Sequence, residues 1–273
     1  AGHRRLPAQG PIAAGGGSLE SASAALLESG AIQERPGYEH RPAQVAMARA
    51  VAQVLERGGR LLVEAGTGVG KTLGYLAPLG LSITQSSDRG VVATHTIALQ
   101  EQLLDRELPK LQPLLPRPLR AAILKGRRHY ISLRRWQRYL GRDDTGASGP
   151  DLEAIRFKLK VLRWLSLTRT GDRGELRLSS GERELWRLVE SDASDCLGAA
   201  CANWGGAVCH MVAARRRAAG AELVVTNHAM LLADGEESGV LGEYASLVVD
   251  EAHHLEEAAT RARGHLLTQC SVA

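Results

Sequence analysis

The sequence predicts an α/β fold: a parallel sheet covered by helices on both faces and interrupted by a mainly helical insertion. Three observations predict it. Short apolar runs bounded by turn residues recur at 60–64, 91–94, 222–226 and 246–250. Segments with helical spacing follow the first two of these runs. Between 116 and 215 the alternation gives way to basic and helical segments, which marks the insertion.

The elements follow in order. Residues 1–35 read as a flexible, glycine-rich tail with a short helix from Glu20 to Ala31. A second helix starts near Pro42, carries Gln44, Met47, Val51 and Leu55 at helical spacing, and ends at Gly58 and Gly59. Arg60-Leu61-Leu62-Val63-Glu64 reads as a buried strand leading into glycines and a helix from Lys71. Val91-Val92-Ala93-Thr94 is a second buried strand, followed by a helix through Leu99, Leu103 and Leu104. The first sheet segment therefore spans 36–115. The insertion, 116–215, holds helical segments at Asp151–Leu167 and Glu182–Val189 and then three cysteines. Strands resume at Glu222–Thr226 and Ser246–Asp250, so 216–273 completes the sheet.

Composition limits the classes open to the chain. Of its 273 residues 44% are hydrophobic and 23% charged, and no apolar run approaches the roughly 18 residues of a membrane span. A secretory leader is not recognisable in the small, polar first residues, and a cytoplasmic location is expected. The net charge of +4 is too small to argue for nucleic acid by itself. Local charge says more: Arg117 to Arg138 contains eight Lys or Arg and no Asp or Glu, together with Tyr130 and Trp136. The chain opens on Ala1 and stops at Ala273, shortly after an acidic motif, which reads as a fragment.

Two motifs carry the chemistry. In Ala65-Gly66-Thr67-Gly68-Val69-Gly70-Lys71-Thr72 the glycines let backbone N–H groups converge on phosphate oxygens at the positive end of a helix. Lys71 reaches the β and γ phosphates of ATP, and the Thr72 hydroxyl binds Mg2+. The second motif, Asp250-Glu251-Ala252-His253, sits at a strand end. There Asp250 holds the magnesium, Glu251 orients or deprotonates the attacking water, and His253 links nucleotide state to the rest of the protein. Arg41 and Gln44, just upstream, are candidates for reading the adenine ring; a surface arginine and a solvated glutamine explain the same letters.

Single-strand binding needs cations along a groove and flat rings on which bases stack. Arg127, Arg128, Tyr130, Arg134 and Arg135 supply both. A solvated basic face with Tyr130 and Trp136 packed inward is the competing explanation.

With these motifs in order, and with Tyr38–Gln44, Leu124–Arg127, Thr170–Asp172, Cys196–Gly198 and Asn227–Leu232, the chain resembles the bacterial DinG and YoaA helicases, relatives of XPD in helicase superfamily 2. The resemblance runs from about Gly37 to Ala259. It implies a RecA-like P-loop ATPase core and an ATP-dependent, 5′ to 3′ DNA helicase. Such a protein is a monomeric motor on single-stranded or forked DNA, acting in repair or replication. It also implies an iron-sulfur domain inserted where 116–215 lies, and contacts of Thr94 and His95 with the DNA backbone. A second motor domain, which the resemblance requires for hydrolysis, is missing after residue 273, so a non-catalytic ATP- or DNA-binding module is the alternative.

Four thiolates hold a [4Fe–4S] cluster in the family. The last three correspond to Cys196, Cys201 and Cys209, but the first position is Ser132, whose harder oxygen makes cluster assembly less favourable. Zinc, with a looser spacing than its structural sites use, and free cysteines both stay open.

Overall fold

The structure, a computed structural model, describes residues 18–28, 39–66, 68–143, 145–146, 149–204, 208–237 and 239–263. Thr67, Tyr38 and most of the expected tail lie outside the described residues. The chain forms two compact units, one of residues 1–123 and 218–273 and one of residues 124–217.

In the first unit, α1 (Leu19–Glu28) precedes α2 (Pro42–Arg57) and α3 (Lys71–Ser86). Pro42 suits the first turn of α2, where its missing N–H is not needed. Gly58, at φ 74°, ends that helix. Next come β1 (Gly90–Thr94), α4 (Ile97–Gln102), α5 (Leu108–Leu111) and β2 (Ala121–Ile123). Between α4 and α5, residues Leu103–Glu107 form one π-helical turn. It widens just ahead of Pro109, whose ring nitrogen has no hydrogen to donate into the preceding turn.

The second unit contains α6 (Leu133–Leu140), the small pair β3 (Thr145–Gly146) and β4 (Gly149–Pro150), α7 (Leu152–Leu165) and α8 (Ser180–Trp186). The run α9 (His210–Ala219), β5 (Leu223–Asn227), α10 (His228–Glu237), β6 (Ser246–Val249) and α11 (Leu255–Arg263) completes the chain.

The main sheet has the order β2-β5-β1-β6, and every neighbouring pair is parallel. Gly90 lies opposite both Leu223 and Ser246, so β1 lies between β5 and β6 and aligns them. Its five residues are all buried, which is why they read as a continuous apolar run rather than an alternating one. Leu27, Ala48, Ala52, Leu76 and Leu79 of the first three helices form one core with Val92, Leu223 and Val225 of the sheet.

Two expectations need correction. Residues 60–64 are not a strand: Leu62 is 91% exposed, and Leu61 and Val63 are also open. An apolar run records that burial is favourable, but a strand also needs a ladder partner, and among the described residues β6 is the edge of the sheet. The sheet also continues beyond 116, where the insertion was expected to start, because Ala121–Ile123 pairs with β5. Three residues are too few to show a period.

The second unit packs Phe157, Val161, Trp164, Trp186 and Val189 around Trp136 and Tyr139. The indole N–H of Trp186 donates to the Arg128 carbonyl at 3.1 Å and that of Trp164 to Glu175 Oε2 at 2.7 Å, so both buried rings are satisfied. The Lys125 ammonium is buried against Asp172, and Tyr130 Oη accepts from the Lys125 backbone N–H at 3.1 Å. These bonds join the 124–127 and 170–172 segments. Gly171 is required there: its φ is 66°, and an added Cβ would collide with the His210 ring. Among the described residues no helix is long and apolar enough to cross a membrane.

Candidate functional site

The glycine loop is shaped from outside as well as by its own residues. Gly66 is followed, beyond the undescribed Thr67, by Gly68 at φ 81°, Val69, and Gly70 at φ 79°, the N-cap of α3. Arg41 Nη1 donates to the Gly68 carbonyl, and Gln44 Nε2 donates to the Gly70 carbonyl at 2.8 Å. A side chain at Gly70 would strike the Gln44 amide. In this structure, then, the two residues expected to read a base hold the loop backbone.

Lys71 opens α3, and its ammonium lies 2.9 Å from Glu251 Oε1. Asp250 and Glu251 come from the end of β6, where Asp250 N–H donates to the Ala93 carbonyl at 2.8 Å. One oxygen of Asp250 accepts from Glu251 N–H at 3.0 Å and the other from Tyr75 Oη at 3.1 Å. Lys71 and Asp250, 179 positions apart in the chain, thus stand beside one another through Glu251 and Tyr75. Glu251 takes a left-handed backbone, φ 53°, unusual for a residue with a side chain. The hydrogen bond from Lys71 is the main reason its carboxyl is held below the usual range, against the opposing effect of burial. Burial, and then Asp250, push the Tyr75 phenol well above its ordinary value, so it remains a donor.

Histidines close the rim. His253 is largely exposed, with Nδ1 3.5 Å from Glu251 Oε2. His95, after β1, stacks on His254 at 3.8 Å between ring centres. Burial, then His253 and His95, lower the His254 pKa. His228 is buried, with Nε2 2.9 Å from the Asp250 carbonyl and Nδ1 without a partner among the described residues. Tyr75, His228 and His254 escaped sequence reasoning. Only Tyr75 carried a usable signal, its place one helical turn after Lys71 and Thr72.

Oxygen donors at Thr72 and Asp250 suit magnesium, which takes one or two protein ligands and keeps waters and phosphates for the rest. Among the described residues no three His, Cys, Asp or Glu side chains are grouped to hold a metal on their own. A site of this sparse kind does not require such a group.

Two residues expected at DNA are enclosed. Thr94 is 1% exposed and its hydroxyl donates to the Thr96 carbonyl at 3.0 Å, shaping the turn after β1. Tyr130 is 3% exposed with its phenol bonded as above, so its ring offers no face for a base to stack on. In both, the hydroxyl or ring fills a polar or apolar need of the fold itself. His95 remains half-buried at the rim. Arg128 is 73% exposed and loosely paired with Asp192 at 3.4 Å and Glu190 at 3.7 Å. Arg127 Nη1 donates to the Asp192 carbonyl at 3.5 Å.

Ser132, Cys196, Cys201 and Cys209 line one pocket of the second unit. Ser132 caps α6, its Oγ accepting from Arg135 N–H at 3.4 Å. Asp195 beside it draws in Arg134 at 2.9 Å and Arg138 at 3.1 Å. Burial raises the Cys196 thiol, but hydrogen bonds from Gly198 N–H and Arg127 outweigh it and leave the pKa below its ordinary value. With one of the four positions a capping serine, and with no metal-holding group among the described residues, the side chains present do not make the four-thiolate set of a [4Fe–4S] cluster.

No protein-family model matches the chain. It is 39% identical over 250 residues to a Mycobacterium tuberculosis protein named ATP-dependent helicase DinG, covering 86% of this chain and 37% of that protein. It is 36% identical over 240 residues to the Escherichia coli ATP-dependent DNA helicase YoaA, covering 85% and 36%. A Bacillus subtilis protein named 3'-5' exonuclease DinG is 37% identical over 234 residues, covering 85% and 24%. The chain spans less than two fifths of the length of each of these relatives. Over about 85% of its length, which includes the loop and the strand-end acids, the chain is thus similar to part of DinG- and YoaA-type proteins.

Proposed function

We propose that this chain is the ATP-binding portion of a DNA helicase that couples ATP hydrolysis to movement along single-stranded DNA. The observation that carries the reading is the meeting of Lys71 with Glu251 beside Asp250, from two motifs far apart in sequence, at the start of α3 and the end of β6. In this reading the parallel sheet is a RecA-like core and residues 124–217 are the inserted domain.

The amides of Gly66–Thr72 cradle the phosphates, and Arg41 and Gln44 keep the loop open for them. Lys71 exchanges its carboxylate partner for the β and γ phosphates, which frees Glu251. That carboxylate, ionised at neutral pH, then orients the attacking water. Thr72 and Asp250 would hold magnesium, which when bound would neutralise charge on the phosphates. His253, beside Glu251 and exposed, carries the state of the site outward. Arg127, Arg128 and His95 are the remaining candidates for contact with single-stranded or forked DNA, and the 5′ to 3′ sense and a role in repair rest on the family resemblance. No step runs through an iron-sulfur cluster.

The test is ATP turnover with and without single-stranded DNA, on this chain and on any longer natural product that contains it. The expected result is slow turnover by the chain and strong stimulation by DNA in the longer protein. Absence of stimulation in both contradicts the helicase reading and favours a non-catalytic ATP- or DNA-binding module.

A further inference from the structure

We infer that Tyr75 is a positioning residue for one magnesium ligand, its phenol anchoring an oxygen of the Asp250 carboxylate and fixing how that carboxylate faces the cation. This rests on the ATP reading above.

Tyr75 lies on α3 three residues after Thr72 and four after Lys71, so all three share one face of the helix. Its ring is 2% exposed within the core built by Leu73, Leu76 and Leu79. A ring serving only to fill that space needs no hydroxyl, and a buried hydroxyl is costly unless bonded. Here it is bonded: Oη donates to Asp250 Oδ2 at 3.1 Å. The other Asp250 oxygen is held by Glu251 N–H at 3.0 Å. With one bond on each oxygen, the carboxylate plane is set and lone pairs remain free for a cation. Without the phenol, one anchor is lost and the broad terminal torsion of the aspartate is released. Partners of this outer kind are what orient metal ligands.

The experiment is a magnesium titration of the intact chain with a fluorescent ATP analogue, comparing the unsubstituted protein, Tyr75→Phe and Asp250→Asn, with a parallel arm in EDTA. Phenylalanine keeps the ring and removes only the hydroxyl. Tyr75→Phe is expected to need about tenfold more magnesium for half-maximal effect, at the low end of the usual cost of losing such a partner. Its affinity for the analogue in EDTA is expected to stay unchanged. A magnesium midpoint that Asp250→Asn shifts and Tyr75→Phe does not overturns the role of Tyr75 alone. So does an equal loss in both arms, which would place the effect in folding. If the unsubstituted chain binds the analogue without any dependence on magnesium, or does not bind it, the ATP reading fails and this inference with it.

Discussion

Lys71 and Glu251 form a contact that must be broken for the chain to work as proposed. Both side chains are about 30% exposed, so the pair contributes on the order of 1 kcal/mol or less to stability. Its sign with pH is fixed by the depressed carboxyl of Glu251. The contribution is complete above the ordinary carboxylate pKa and is lost as pH falls through the lower folded value. Lys71→Met is expected to return the Glu251 pKa toward the usual range, read by NMR titration of its side-chain carboxyl; an unmoved titration contradicts the pairing. Lys71, Asp250 and Glu251 were legible in the sequence because each motif states its own chemistry at fixed spacing. Tyr75 was legible only in its place one turn after Lys71 and Thr72, since its meaning lies in a carboxylate from a distant strand end. Tyr130 was misleading for the opposite reason: its basic neighbours suggested a surface, but those cations meet Asp172, Glu190, Asp192 and Asp195 in space.

At the level of elements, β1, β5, α2 and α3 were readable because continuous burial or helical spacing leaves a pattern several residues long, and the half-buried edge strand β6 was readable from its apolar letters. β2 was too short to leave one, and 60–64 has the letters of a strand without the ladder. Ser132 shows how one residue can serve an element at the expense of a site. As the N-cap of α6 it satisfies a backbone donor, a role worth about 1 kcal/mol. Cysteine is a poor cap but a good iron ligand. Ser132→Cys is therefore expected to lower the melting temperature of the iron-free protein while raising the iron retained per chain after anaerobic purification. Iron content unchanged by the substitution contradicts the view that Ser132 is what limits the cysteine pocket.

For the molecule as a whole, the sequence shows a change of pattern near the insertion, and the structure shows two compact units with the second interrupting the first. The change was visible because residue types differ; its limits were not, because the sheet accepts a strand of three residues before the chain leaves it. The basic run between Arg117 and Arg138 shows the same limit for charge. Arg117 pairs with Glu222 at 2.8 Å, and Arg134 and Arg138 with Asp195, so most of a local excess is answered by acids from later in the chain. What survives every scale is a single place where α3 and β6 bring a lysine and two carboxylates together. Calorimetric titration of MgATP into the intact chain, into Lys71→Ala and into Asp250→Asn tests it most directly. Binding by the unsubstituted chain is expected, with a loss of at least about tenfold in each variant, the scale of one charged hydrogen bond. Equal affinity in all three proteins would contradict it.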